Sequence, residues 1–84
     1  MYKGDMNLKL GTKIYYTGDM ANPSGTFKVV DFAGSYVTLQ EEGGEGRRFP
    51  GIHLHQIGEV YQGHCNPRFV TDEARQAFRK ARGL

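Results

Sequence analysis

Eighty-four residues suit a single domain with one small core, because a chain of this size buries only roughly 60% of the surface it exposes when unfolded. There is no run of about 18 apolar residues, so no membrane-crossing helix is expected. A single cysteine excludes an internal disulfide. The net charge of +2 is unevenly placed: residues 1–67 carry six basic and seven acidic side chains, a net of −1, and residues 68–84 carry five and two, a net of +3.

Residues 1–7 read as a loosely ordered extension without the apolar stretch of a signal peptide, and the chain is expected to be cytoplasmic. Leu8 and Leu10 alternate with polar neighbours and lead into Gly11. Thr12 to Thr17 is a first strand, with Ile14 and Tyr16 on one face and Lys13 and Tyr15 on the other. Gly18 to Gly25 carries Asp, Asn, Pro and Ser and is a loop.

Gly25 to Gln40 holds two β-branched and aromatic runs split at Ala33-Gly34-Ser35, which is a hairpin pattern with Gly34 free to take a positive φ. Val37 and Leu39 alternate cleanly with Tyr36, Thr38 and Gln40. In the first run Phe27 and Val29 share one parity and Val30 and Phe32 the other, so this strand is expected to bend or bulge as a small sheet curls.

Glu41 to Gly46 is an acidic, Gly-rich turn whose glutamates are expected in solvent. Arg47-Arg48-Phe49 is a short fourth strand that ends at Pro50 or lies on an edge, since proline donates nothing to a ladder. From Gly51 to Gly58, Ile52 and Leu54 fall on one side and His53 and His55 on the other, which fits a strand or a 3₁₀ turn. Glu59 to Gln62 is read as a closing strand and residues 63–70 as a linker.

Thr71 opens a helix over residues 71–82. Thr is a good N-cap, Asp72 and Glu73 suit the positive end of the dipole, Lys80 and Arg82 the other end, and Gly83 stops it. Ala74, Ala77, Phe78 and Ala81 form one apolar stripe, with Phe78 as the anchor and Phe69 and Val70 helping from upstream. A helix of this length needs a surface to dock on. The fold class that follows is mainly β: a curled antiparallel sheet or barrel of about five strands over residues 8–62, with one C-terminal helix docked on it.

The stretch Gly11-Thr-Lys-Ile14-Tyr-Tyr16-Thr-Gly18-Asp19, followed after a short loop by Gly25-Thr-Phe27-Lys-Val29-Val30, resembles the KOW/Tudor-like type of SH3-like barrel in its glycine and apolar spacing. The likeness covers residues 11–30. It implies a five-stranded barrel that often binds RNA, DNA or the transcription and translation machinery. The loop Met20 to Ser24 lacks the basic residues that such loops tend to carry.

Four constellations could carry function. Arg75, Arg79 and Arg82 recur at i, i+4 and i+7, and an anionic partner would relieve their mutual repulsion. Arg68, Arg47 and Arg48 could extend the patch. The plain alternative is a solvated helix face, some of whose arginines pair with Glu41, Glu42 or Glu45. Tyr15, Tyr36 and Tyr61 could stack bases or line a peptide groove, or simply pack as half-buried strand residues. His53 and His55, with His64 or Cys65, could hold a metal, but one cysteine is poor provision for a structural zinc site, so none is assigned. Cys65 beside His64 has no orienting partner for nucleophilic chemistry. The expectation is a non-enzymatic binding module without a cofactor or an evident small-molecule substrate. It binds nucleic acid or another polyanion through the basic helix, with protein binding at an open sheet edge or a Tyr groove as the alternative.

Overall fold

In the computed structural model, which describes residues 8–61 and 68–83, the chain forms one curled sheet and one helix. The strands are β1 (Lys13–Tyr16), β2 (Gly25–Ala33), β3 (Tyr36–Glu41), β4 (Arg48–His53), β5 (Ile57–Gly58) and β6 (Phe69–Thr71), followed by α1 (Asp72–Ala81). Their order across the sheet is β4-β3-β2-β1-β6-β5. All neighbours are antiparallel except β5 and β6. The mainly β class with a C-terminal helix is as expected, with six strands in a half-barrel. The extension 1–7, Gln62, residues 63–67 and with them His64 and Cys65 lie outside the described residues.

The mixed parity of β2 has a direct cause. Val29 lies opposite Leu39 but Asp31 lies opposite Thr38, so Val30 is an extra residue on the β2 side. The bulge resets the alternation. Phe27 and Val29 point inward before it, and after it Phe32 shares the face of Val37, opposite it, while remaining 38% exposed near the hairpin end. A second shift sets Leu39 against Phe49 and Val37 against Ile52, which places the extra residue at Pro50-Gly51, with Gly51 at φ 72°. β4 is an outermost strand, where a missing N–H does least harm, so it continues through Pro50 to His53. The 3₁₀ turn Leu54–Gln56 then carries the chain to β5: both readings of this stretch are realised, one after the other.

Two expectations are corrected. Residues 59–61 form no strand; the short strand falls one step earlier, at Ile57–Gly58, and is parallel to β6. Phe69 to Thr71, read as connection and helix cap, is itself a strand, because pairing with β1 buries Phe69 and Val70.

Ile14, Tyr16, Phe27, Val29, Val37, Leu39, Ile57 and Phe69 make up the core inside the curl, with Leu8, Phe49, Ile52 and Leu54 packed on its margin. Burying each of the large aliphatic or aromatic members stabilises by about 1.5–3 kcal/mol. Among the described residues no polar or charged side chain is buried.

Val70 is fully buried yet stands outside that cluster. It lies opposite Tyr15 on the outer face, and α1 covers both, packed against β1 and β6. Thr71 caps the helix, its Oγ1 accepting from Ala74 N–H at 3.2 Å, and Gly83 at φ 75° ends it as expected. The docking face is not the alanine stripe. Ala77 and Ala81 are exposed, and the half-buried positions are Asp72, Ala74, Arg75, Phe78 and Arg79. Alanine offers little area, whereas Phe78 and the long arginine stems offer much more, so the helix is turned to place them on the sheet.

Candidate nucleic-acid interface

The residues expected to bind an anion are drawn to three different places. Arg47 is tied down at the surface of the fold, its side chain 15% exposed. Its Nε and Nη2 donate to the two Glu41 carboxylate oxygens at 3.0 and 2.9 Å, its backbone N–H donates to Glu41 Oε1 at 3.0 Å, and Nη1 donates to the Pro23 carbonyl at 2.9 Å. The guanidinium lies 5.2–5.9 Å from the ring centres of Tyr16, Phe27 and Phe49. These bonds hold the Glu41 carboxyl at about 2, well below its ordinary 4.5, and raise Arg47. Gly25 makes room for the pair: a Cβ there would stand 2.8 Å from Arg47 Nη2 and 2.9 Å from Glu41 Oε2. Glu41 is therefore not the solvated turn residue that was expected, although Glu42 and Glu45 are exposed. A forked guanidinium that meets a carboxylate in two places holds it more firmly than water does.

Arg75, Tyr15 and Tyr61 meet at the helix–sheet junction. Arg75 Cζ sits 4.1 Å over the Tyr15 ring. Tyr61 stands edge-on to Tyr15 at 6.3 Å and to Phe78 at 5.0 Å. Arg82 Cζ lies 4.9 Å over Phe78. This cluster packs the helix on the sheet: Arg75 lies over Tyr15, and both Tyr15 and Tyr61 are half-buried. Arg79 flanks the same side of α1, half-buried. Tyr36 is 49% exposed and stands edge-on to His53 at 4.9 Å, away from the helix on the outer end of β3 and β4. His53 and His55 have ring centres 4.6 Å apart, and His53 Nδ1 accepts from His55 N–H at 3.0 Å to cap the 3₁₀ turn. Among the described residues no group of three metal-ligating side chains occurs.

Arg48 joins two residues that the sequence reading did not single out. Lys13 lies opposite Lys28, Lys28 opposite Gln40, and Gln40 opposite Arg48. Directly paired residues point to the same face, so these four cross the outer face in one row, perpendicular to the strands. Three strand spacings make the row about 14 Å long. Arg48 Nη1 donates to Gln40 Oε1 at 3.1 Å, which steadies one end. At the other, Lys13 Nζ is 3.7 Å from Glu42 in an exposed pair. Tyr15 follows Lys13 by two residues on the same face, so the row ends beside the arginines of α1. Lys13 and Lys28 are fifteen residues apart in sequence, and only the register of β1 on β2 makes them neighbours.

No family model, no curated protein and no solved structure matches the chain.

Proposed function

We propose that this protein is a small, non-enzymatic, cytoplasmic module that binds nucleic acid or another polyanion on its outer sheet face, through Lys13, Lys28 and Arg48 with Arg79, Lys80 and Arg82 of α1 alongside. The observation that carries the reading is the placement of Lys13 directly opposite Lys28. Like charges so placed work against the sheet, a cost that the exposed Glu42 at 3.7 Å from Lys13 offsets only in part. A local cost of this kind is expected where function demands it, and a row of phosphates would turn it into attraction. The KOW-like spacing of residues 11–30 is in keeping with a barrel of this use. With Lys and Arg as its leading contacts, binding is to backbone phosphates and carries no base sequence. The test is fluorescence anisotropy with short labelled DNA and RNA at low salt: binding should fall on Lys13→Ala and Lys28→Ala and show no preference among sequences. Absence of binding at low salt overturns the reading.

A further inference from the structure

Beyond the basic row, the outer face carries an exposed tyrosine. Tyr36, Thr38 and Gln40 alternate along β3 with the buried Val37 and Leu39, so they share the face on which Gln40 stands between Lys28 and Arg48. Four residues of strand set Tyr36 about 13 Å from the row. It is 49% exposed and is the one exposed tyrosine among the described residues. Its two cross-strand neighbours differ in height. His53 on β4 meets the ring edge-on at 4.9 Å. Ala33 on β2, itself exposed, offers no more than a methyl group. The ring is braced on the β4 side and has room beside it on the β2 side.

A duplex and a single strand would use the row and the ring differently. Both present phosphates to Lys13, Lys28 and Arg48, and the duplex does so at the higher charge density. A surface that reads phosphates alone therefore binds a duplex at least as well as a single strand. A duplex keeps its base faces inside its own stack, whereas a single strand leaves them free to stack on an aromatic side chain, whatever the base.

We infer that the outer face takes a single-stranded nucleic acid, with its phosphates on the Lys13–Lys28–Arg48 row and one base stacked on Tyr36. This rests on the polyanion reading of the face and narrows it, to strands that carry bases and to bases that are unpaired. The register of β2, β3 and β4 brings one charged side chain to the stretch between row and ring, Asp31 opposite the half-buried Thr38. Its carboxylate repels phosphates from the β2 side. A backbone that leaves the row at Arg48 therefore passes over β4 and turns a base towards Tyr36 and the low ground above Ala33.

The experiment is fluorescence anisotropy at low salt with labelled probes of about eight nucleotides, within the usual range of single-strand site sizes. The probes are oligothymidylate, oligouridylate, an abasic deoxyribose-phosphate strand of the same length, and a duplex of the same length. The tighter of the thymidylate and uridylate strands, which identifies the sugar, should bind about fivefold or more tightly than the abasic strand, the lower end of base–aromatic stacking. It should also bind more tightly than the duplex. Tyr36→Ala should bring that strand to the level of the abasic one. It should leave abasic binding and the salt slope unchanged, because no phosphate contact is lost. Tyr36→Phe keeps the ring and should keep the affinity, and a retained amide spectrum shows that each variant folds. Equal binding of intact and abasic strands, tighter binding of the duplex, or undiminished binding by Tyr36→Ala would overturn the inference and leave the polyanion reading in place. No binding of any probe would overturn both.

Discussion

Replacing Lys28 by Gln separates a residue kept for packing from one kept for a ligand. Lys28 faces Lys13 directly across β1 and β2. Removing one of two like charges in such a pair should raise the stability of the free protein by about 0.2–1 kcal/mol. For a domain of this size that is an increase in Tm of about 1–8 °C. The same change should weaken polyanion binding. With three phosphates neutralised by Lys13, Lys28 and Arg48, the sheet row alone should make log K fall with log salt at a slope near −2 for a single strand and about −2.7 for a duplex, and any contact by Arg79, Lys80 or Arg82 would steepen it. Between 50 and 200 mM salt the single-strand figure is a loss of about 20-fold. Lys28→Gln should reduce the slope by about 0.7–0.9, the contribution of one phosphate contact. Thermal melts and anisotropy titrations at four salt concentrations measure both quantities. A variant that is no more stable than the parent, or one that binds with an unchanged slope, would refute the reasoning.

Four further variants test the rest of the fold. In Gly25→Ala the new Cβ would stand within 3 Å of Arg47 and Glu41, so Tm should fall and the Glu41–Arg47 pair should open, visible as loss of the shifted Glu41 carboxyl resonance. The Glu41 carboxyl is held near 2 against 4.5, so its contribution to stability is complete above pH 4.5 and disappears as the pH falls towards 2; Glu41→Gln should flatten the acid limb of the denaturant midpoint against pH in that window. Phe78→Ala should cost about 0.75–1.5 kcal/mol, half the transfer of a fully buried phenylalanine. Arg75→Ala should cost about 0.5–1 kcal/mol from its place over Tyr15, and both should speed amide exchange in α1 while leaving that of β2 and β3 unchanged.

Of the fold, what the chain's order of residues determined by itself is whatever rests on near neighbours. The hairpin at Gly34 is legible because period-two alternation and a turn glycine sit within sixteen residues. The bulge at Val30 is legible because a parity change in one strand has few other causes. The helix at Asp72–Ala81 is legible from its cap, its dipole charges and its stop glycine. Each of these follows from backbone geometry that a few adjacent side chains impose.

The candidate site depends on separations that no local pattern encodes. Arg47 reads as a basic surface residue until the chain folds it onto Glu41, Pro23 and three aromatic rings. The arginine stripe of the helix reads as a free face, but helical periodicity fixes which residues share a side and leaves open which side is pressed on the sheet. That choice went to Phe78 and the arginine stems because they bury more than alanine does. Lys13, Lys28, Gln40 and Arg48 belong to four strands, and a register shift of one residue would send each to the opposite face. The bulges at Val30 and Pro50-Gly51 set that register on either side of β3, so the row exists only through them. The parallel pairing of Ile57–Gly58 with Phe69–Thr71 is likewise tertiary. It depends on burying Ile57, Phe69 and Val70 together, a gain that appears only once the whole sheet has curled.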